Sequence, residues 1–224
     1  MLLVVGKIYH ELLTKWWQLL QSFPVEQTAA EDVFWQLVAA YSTPGRYYHT
    51  LEHIYHVLSA IKTLQNQAQD LPAIQFAAWF HDVVYDTQAQ DNEQQSASYA
   101  AEILKSLEIP HCIIAKVESL ILDTKYHQTE PNDFDAQVFL DADLEILGSN
   151  PQRYHQYARL IRQEYLWMPD VEYATGRKQV LHQFLHRDRI YLTNLMFHKF
   201  ESSARQNLQA EIMRLEQISP ANQS

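Results

Sequence analysis

Phe76-Ala-Ala-Trp-Phe-His-Asp-Val-Val-Tyr-Asp86 sets a histidine and a carboxylate side by side in an otherwise apolar run. Ile74, Ala77, Ala78, His81 and Val84 or Tyr85 recur at the 3, 4 and 7 spacing of a core-facing helical stripe. The spacing predicts a buried helix that carries His81 inward. Asp82 and Asp86, four residues apart, are expected to share the adjacent face. A histidine and a carboxylate in such a helix are costly unless compensated. A bound cation is one of the few partners able to satisfy both.

The segment before it, Arg46-Tyr-Tyr-His-Thr-Leu-Glu-His-Ile-Tyr-His56, places His49, His53 and His56 on one helical face. Neutral imidazole is the commonest side-chain ligand of transition metals. Downstream, Phe139-Leu-Asp-Ala-Asp-Leu-Glu-Ile-Leu-Gly148 carries Asp141 and Asp143 in another apolar run. One histidine, a His-Asp pair and a further aspartate on three helices would make a mixed nitrogen and oxygen site. That ligand set suits divalent Mn, Fe, Co, Ni, Zn or Mg.

The ordered set His, His-Asp, Asp resembles the HD superfamily of predicted metal-dependent phosphohydrolases, and most closely a group of bacterial proteins of this size. The resemblance is carried by Arg46, Tyr48, His49 and His53; by Trp79 to Asp82 and Tyr85; by Asn92, Glu93, Ser96 and Ala97; and by Asp141 to Gly148. It runs from about Arg46 to Tyr191. It implies an all-helical HD-type bundle, His53, His81 and Asp82 as metal ligands, and hydrolysis of a phosphoester. The last ligand is Asp141 or Asp143. The apolar neighbours Phe139, Leu140, Ile146 and Leu147 favour Asp143, while the family comparison fits either. The other aspartate is expected to orient a histidine or a water.

Asp86 and Glu93 are candidates for proton transfer, since a carboxylate beside the metal can hold the attacking water or protonate the leaving oxygen. Each also reads as a helix-end charge. Arg46 and His49 are candidates for substrate binding, and His49 is also a candidate for a second metal. Lys125, His127, Arg162, Arg177 and Arg187 are weaker candidates for phosphate contact, and His56 reads as a solvated histidine.

The composition sets limits. Hydrophobic residues make up 47% of the 224, with five tryptophans, thirteen tyrosines and nine phenylalanines to fill a core. Four glycines and no Asn-Gly or Asp-Gly pair argue against an all-β fold. A net charge of −10 disfavours nucleic-acid backbone as the main partner. A small anionic substrate stays open, because a metal and a few arginines reverse the local field. Cys112 is the single cysteine, which leaves no intramolecular disulfide and no thiolate cluster. Leu2-Leu-Val-Val5 is too short for a secretory signal, and no apolar run reaches membrane-spanning length. The expectation is a cytoplasmic protein with a small phosphorylated substrate and no membrane partner; the oligomeric state stays open.

Roughly ten helices are expected. Two opening helices (7–22 and 28–41) flank Pro24, with a capping box at Thr28-Ala-Ala-Glu31. Thr43-Pro-Gly45 is a turn. A third helix runs from about Thr50 to Gln67 on a stripe of Leu51, Ile54, Leu58 and Ile61, and Pro72 opens the His-Asp helix. Helices near 92–108 and 111–125 follow, then a polar loop at 128–133. The Asp141/Asp143 helix ends at Gly148. Asn150-Pro151 opens a helix to about Trp167, Pro169 precedes one near 171–186, and a tail helix runs to about Ile218 with frayed last residues. With no repeat, linker or composition shift, residues 1–224 read as one domain. Two other functions fit the same residues: a non-catalytic nucleotide- or metal-binding regulatory module, and a metal-dependent oxidative enzyme.

Overall fold

Apolar spacing and end caps decide where this chain coils. The computed structural model describes residues 2–218, with side chains from Gly6 onward. Among the described residues it is all-α: ten α-helices and two 3-10 segments. The chain divides into two compact units between Asp143 and Leu144, a division that no linker in the sequence announces. The last residues, expected to fray, lie outside the described residues. No described helix is long and apolar enough to cross a membrane.

The first unit contains α1 (Leu2–Leu20), α2 (Gln27–Ala40), α3 (Leu51–Leu64), α4 (Leu71–Phe80), α5 (Asn92–Ser106), α6 (His111–Asp123) and α7 (Phe134–Asp143). Helix α4 is its centre. Ala73, Ile74 and every residue from Phe76 to Phe80 are buried, so the helix is apolar nearly all round, as a helix enclosed by others must be. Trp16 of α1 meets Phe76 and Trp79 edge-on, at ring centroids 6.1 and 5.5 Å. Its own N–H, which would be costly if left bare in a core, donates to Ala30 O of α2 at 2.9 Å. Tyr41 closes the same side by donating to Trp79 O at 2.9 Å.

Helix starts follow their caps. Asp70 accepts the Ala73 N–H at 3.0 Å to open α4, with Pro72 in the first turn. Asp135 of α7 accepts the N–H groups of Gln69 and Asp70 at 2.7 and 3.1 Å, tying α7 to the start of α4. The expected stripe of α3 holds, with Leu51, Ile54, Leu58 and Ile61 all buried.

Two local expectations are corrected. Glu26, not Thr28, caps α2: its carboxylate accepts the Ala29 N–H and the Thr28 hydroxyl. Helix α4 stops at Phe80 with His81 as its cap, so Asp82, Val84, Tyr85 and Asp86 lie beyond it in a turn. Asp82 and Asp86 therefore share no helical face. A turn supplies what a continued helix would not, since neighbours on a helix point about 100° apart.

The second unit holds α8 (Pro151–Glu164), α9 (Asp170–Leu185) and α10 (Asn194–Glu216), preceded by a 3-10 segment, Leu144–Gly148. Asn150 caps α8 through the Arg153 N–H at 3.0 Å. That helix ends at Glu164 rather than near Trp167. Arg162 there takes the carbonyls of Tyr165 and Met168 at 2.6 and 3.0 Å, binding the chain as it turns away. Arg177 and Glu211 form a buried ion pair at 2.9 Å, and Tyr154 donates to the same carboxylate.

Candidate metal centre

Three chain segments converge at one point of the first unit. His53 stands in the first turn of α3, His81 at the end of α4 with Asp82 after it, and Asp143 at the end of α7. His53 Nε2 is 3.1 Å from His81 Nε2 and 3.1 Å from Asp143 Oδ1. His81 Nε2 is 3.4 Å from Asp143 Oδ1 and 3.0 Å from Asp82 Oδ2. His53 Nε2 to Asp82 Oδ2 is 3.6 Å. A cation about 2.1 Å from each ligand sets neighbouring ligand atoms about 3.0 Å apart in octahedral geometry and about 3.4 Å apart in tetrahedral geometry. His53, His81 and Asp143 stand at the mutual spacing of a coordination shell, and Asp82 comes to that spacing against the two histidines.

The tautomers agree with that spacing. His81 Nδ1 lies 3.1 Å from Ala78 O, so it carries the proton and leaves the Nε2 lone pair directed into the cluster. Two imidazole nitrogens facing each other at 3.1 Å repel unless a proton or a cation stands between them. The ends of α4 and α7 both point their negative dipole poles here, which favours positive charge. The residues present fit a divalent ion.

Without a metal the cluster is an ion-pair network. Burial pushes His81 towards the neutral form, but the Asp82 and Asp143 carboxylates outweigh it and hold its pKa well above the ordinary histidine value. Burial pushes His53 down, and Asp143 only partly offsets this. Burial favours the neutral form of both carboxylates, yet His81 and its neighbours hold Asp82 and Asp143 well below the usual range. His53 is 4% exposed and His81 2%, against 21% for Asp82 and 20% for His127, so the site opens on the Asp82 and His127 side.

The other expected site residues fall in distinct places. Asp141 is fully buried two positions before Asp143 on α7 and is outside the group that converges. Two helical positions are about 200° apart, so one of the pair faces the cluster and the other does not. His49 stacks on Tyr85 with ring centroids 4.3 Å apart, and its charge helps to lower the Asp82 pKa. Arg46 is engaged with the chain itself. It donates to Thr43 Oγ1 at 3.1 Å and to the carbonyls of His49, Asp82 and Val83 at 3.1, 2.7 and 2.9 Å. Its guanidinium also lies over the rings of Tyr41 and Tyr85. It ties the chain at His49, just before α3, to the turn after α4.

Asp86 is exposed in the turn after the cluster and accepts the Gln88 N–H at 2.8 Å. Glu93 opens α5 and faces Lys125 at 3.9 Å. Lys125 itself donates to Gln90 O at 2.8 Å. Arg162 and Arg177 are engaged with Asp170 and Glu211, and Arg187 lies over the Phe184 ring. His56 is 41% exposed, beside Glu52.

The sequence reading gave His127 too little weight. It follows α6 in a left-handed backbone conformation (φ 46°), and its Nε2 lies 2.9 Å from Asp143 Oδ2. Histidine is among the residues that tolerate this region, and such positions gather at functional sites. Helical periodicity could not have found it, because it lies past the end of α6.

Comparison with known proteins found no matching family model, no matching curated protein and no matching solved structure.

Proposed function

We propose that the chain is a metal-dependent hydrolase of a phosphoester in a small cytoplasmic substrate, a nucleotide being one candidate. The observation that carries the reading is the mutual spacing of the His53, His81 and Asp143 ligand atoms, 3.1 to 3.4 Å for all three pairs, with Asp82 3.0 and 3.6 Å from the two histidines. Four protein ligands of two nitrogens and two oxygens leave room at an octahedral ion for water and substrate. When bound, a divalent ion polarises a phosphoryl oxygen and acidifies a water molecule near neutral pH.

The chain's own groups do the rest. His53, His81, Asp82 and Asp143 hold the ion, and His127 fixes the orientation of Asp143. Arg46 holds the backbone of residues 49 and 82–83 in place, and His49, packed on Tyr85 beside Asp82, is proposed to contact the substrate. Glu93 or Asp86 is proposed to move the proton.

The test is hydrolysis across a panel of nucleotides and model phosphoesters by protein loaded in turn with Mn, Fe, Co, Ni, Zn and Mg. Expected is metal-dependent turnover of at least one class, lost in His81→Ala together with the metal. No hydrolysis by fully loaded protein would favour the regulatory module. Oxygen consumption with reduced iron would favour the oxidative enzyme.

A further inference from the structure

Helices α1, α3 and α4 also line a cleft of about 220 Å³, formed by Lys15, Gln18, Lys62, Gln65, Gln75 and Trp79 with two leucines. Its volume is that of about seven waters. The lining is polar, and two ammonium groups face it in a chain whose net charge is −10. Among the described residues neither lysine forms an ion pair: Glu11, the carboxylate on α1 near Lys15, is paired with Lys7 at 3.8 Å. Lys15 is half-buried and lies 5.9 Å from the centre of the Tyr55 ring. Burial lowers its pKa and the neighbouring Lys62 charge lowers it further, against some support from Glu11.

Trp79 supplies a second, independent observation. It is fully buried, it lines the cleft, and its Nε1–H is a buried donor with no acceptor. A buried N–H in a native fold almost always has a partner. The other indole of this core, Trp16, has one in Ala30 O. Neighbouring like charges and a bare donor on a residue lining the same cleft have one common remedy, an oxyanion. The glutamine amides at the rim can donate to it as well.

We propose that this cleft binds a small doubly charged oxyanion, carried on a phosphate or on a short dicarboxylate, between Lys15, Lys62 and the Trp79 N–H. The occupant bridges α3 and α4, the helices that carry His53 and His81, so the cleft is placed to act as an effector site. It stands whether or not the metal centre is a hydrolase.

The experiment follows the indole N–H resonances of full-length protein labelled at its five tryptophans, with Trp79→Phe for assignment, during titration with inorganic phosphate or with succinate. The Trp79 resonance is expected to shift saturably with one of them, and the more potent anion names the source. The shift should persist in His81→Ala and vanish in Lys15→Met/Lys62→Met. A resonance that neither anion moves, one that still moves in the double lysine variant, or one that stops moving in His81→Ala would overturn the proposal. As a control on folding, the double variant in anion-free buffer should melt no lower than wild type, because it removes like-charge repulsion. A lower melting temperature would assign the lysines to the fold and end the proposal.

Discussion

His127 Nε2 lies 2.9 Å from Asp143 Oδ2, while the other oxygen of that carboxylate lies 3.1 Å from His53 Nε2. One aspartate thus faces the cluster with one oxygen and is anchored by a loop histidine through the other. Groups that orient a metal ligand in this way typically set metal affinity by 10–100-fold. His127→Ala is expected to weaken metal binding by about that factor while far-ultraviolet circular dichroism stays unchanged. Calorimetric metal titration reads it.

The contrast between Asp143 and Asp141 gives a sharper test. Asp143→Asn and Asp82→Ala each remove an anionic ligand, and elemental analysis should find little metal in either protein. Asp141→Asn should keep its metal. Because Asp141 is fully buried, its cost should appear as lower stability in denaturant. Metal retained by Asp143→Asn and lost by Asp141→Asn would reverse the assignment.

Arg46 makes three hydrogen bonds to backbone carbonyls on two segments. Lysine cannot reproduce that fork. Arg46→Lys is expected to lose about 2–3 kcal/mol of stability, as for loss of charge-assisted hydrogen bonds, and to weaken metal binding. A rise in KM with stability and metal affinity unchanged would mark a phosphate contact instead.

The metal-free protein should be most stable near pH 6.5. His81 has a folded pKa raised above its ordinary 6.5, so its contribution is complete below that value and is lost as pH rises through the raised one. His53 has a lowered pKa, so it costs stability as pH falls below 6.5. Asp82 and Asp143 have depressed values, so their contributions are complete above 3.8 and are lost as pH falls through the folded values. Loading with metal should reverse the alkaline limb, since the ion needs His81 deprotonated. Denaturant midpoints with and without chelator, across pH 5 to 9, check this.

Asp86 and Glu93 separate by variant kinetics. Asp86→Asn and Glu93→Gln should both keep the metal, and the one that moves the proton should lose kcat by about 10²–10⁴-fold. Asp86 is exposed and engaged in a turn, so Glu93 is expected to show the larger loss.

Much of this was legible in the chain. His53 and His81 stand on apolar stripes, and Pro72, Asn150 and Pro169 punctuate helices where expected. Arg46 was legible as a motif residue but not as a clamp, since two of its three carbonyl partners lie 36 and 37 positions away. Asp82 reads as helical because the apolar run continues past Phe80, where α4 stops. Where a helix stops inside such a run depends on tertiary packing, which periodicity does not contain. His127, in a loop with a left-handed backbone, and the bare N–H of Trp79 leave no pattern in sequence at all.

Helix α4 is buried nearly all round, and this governs how the site moves. A helix without a solvent face has no easy local opening, and its amide protons exchange with water only when most of the unit comes apart. His81 rides on the end of that helix, so the slowest-exchanging element of the unit carries one wall of the cluster. Arg46 clamps the turn after Phe80, so the mobility needed to admit and release small molecules is expected of the loop bearing His127, with the helix as the fixed reference against which it shifts.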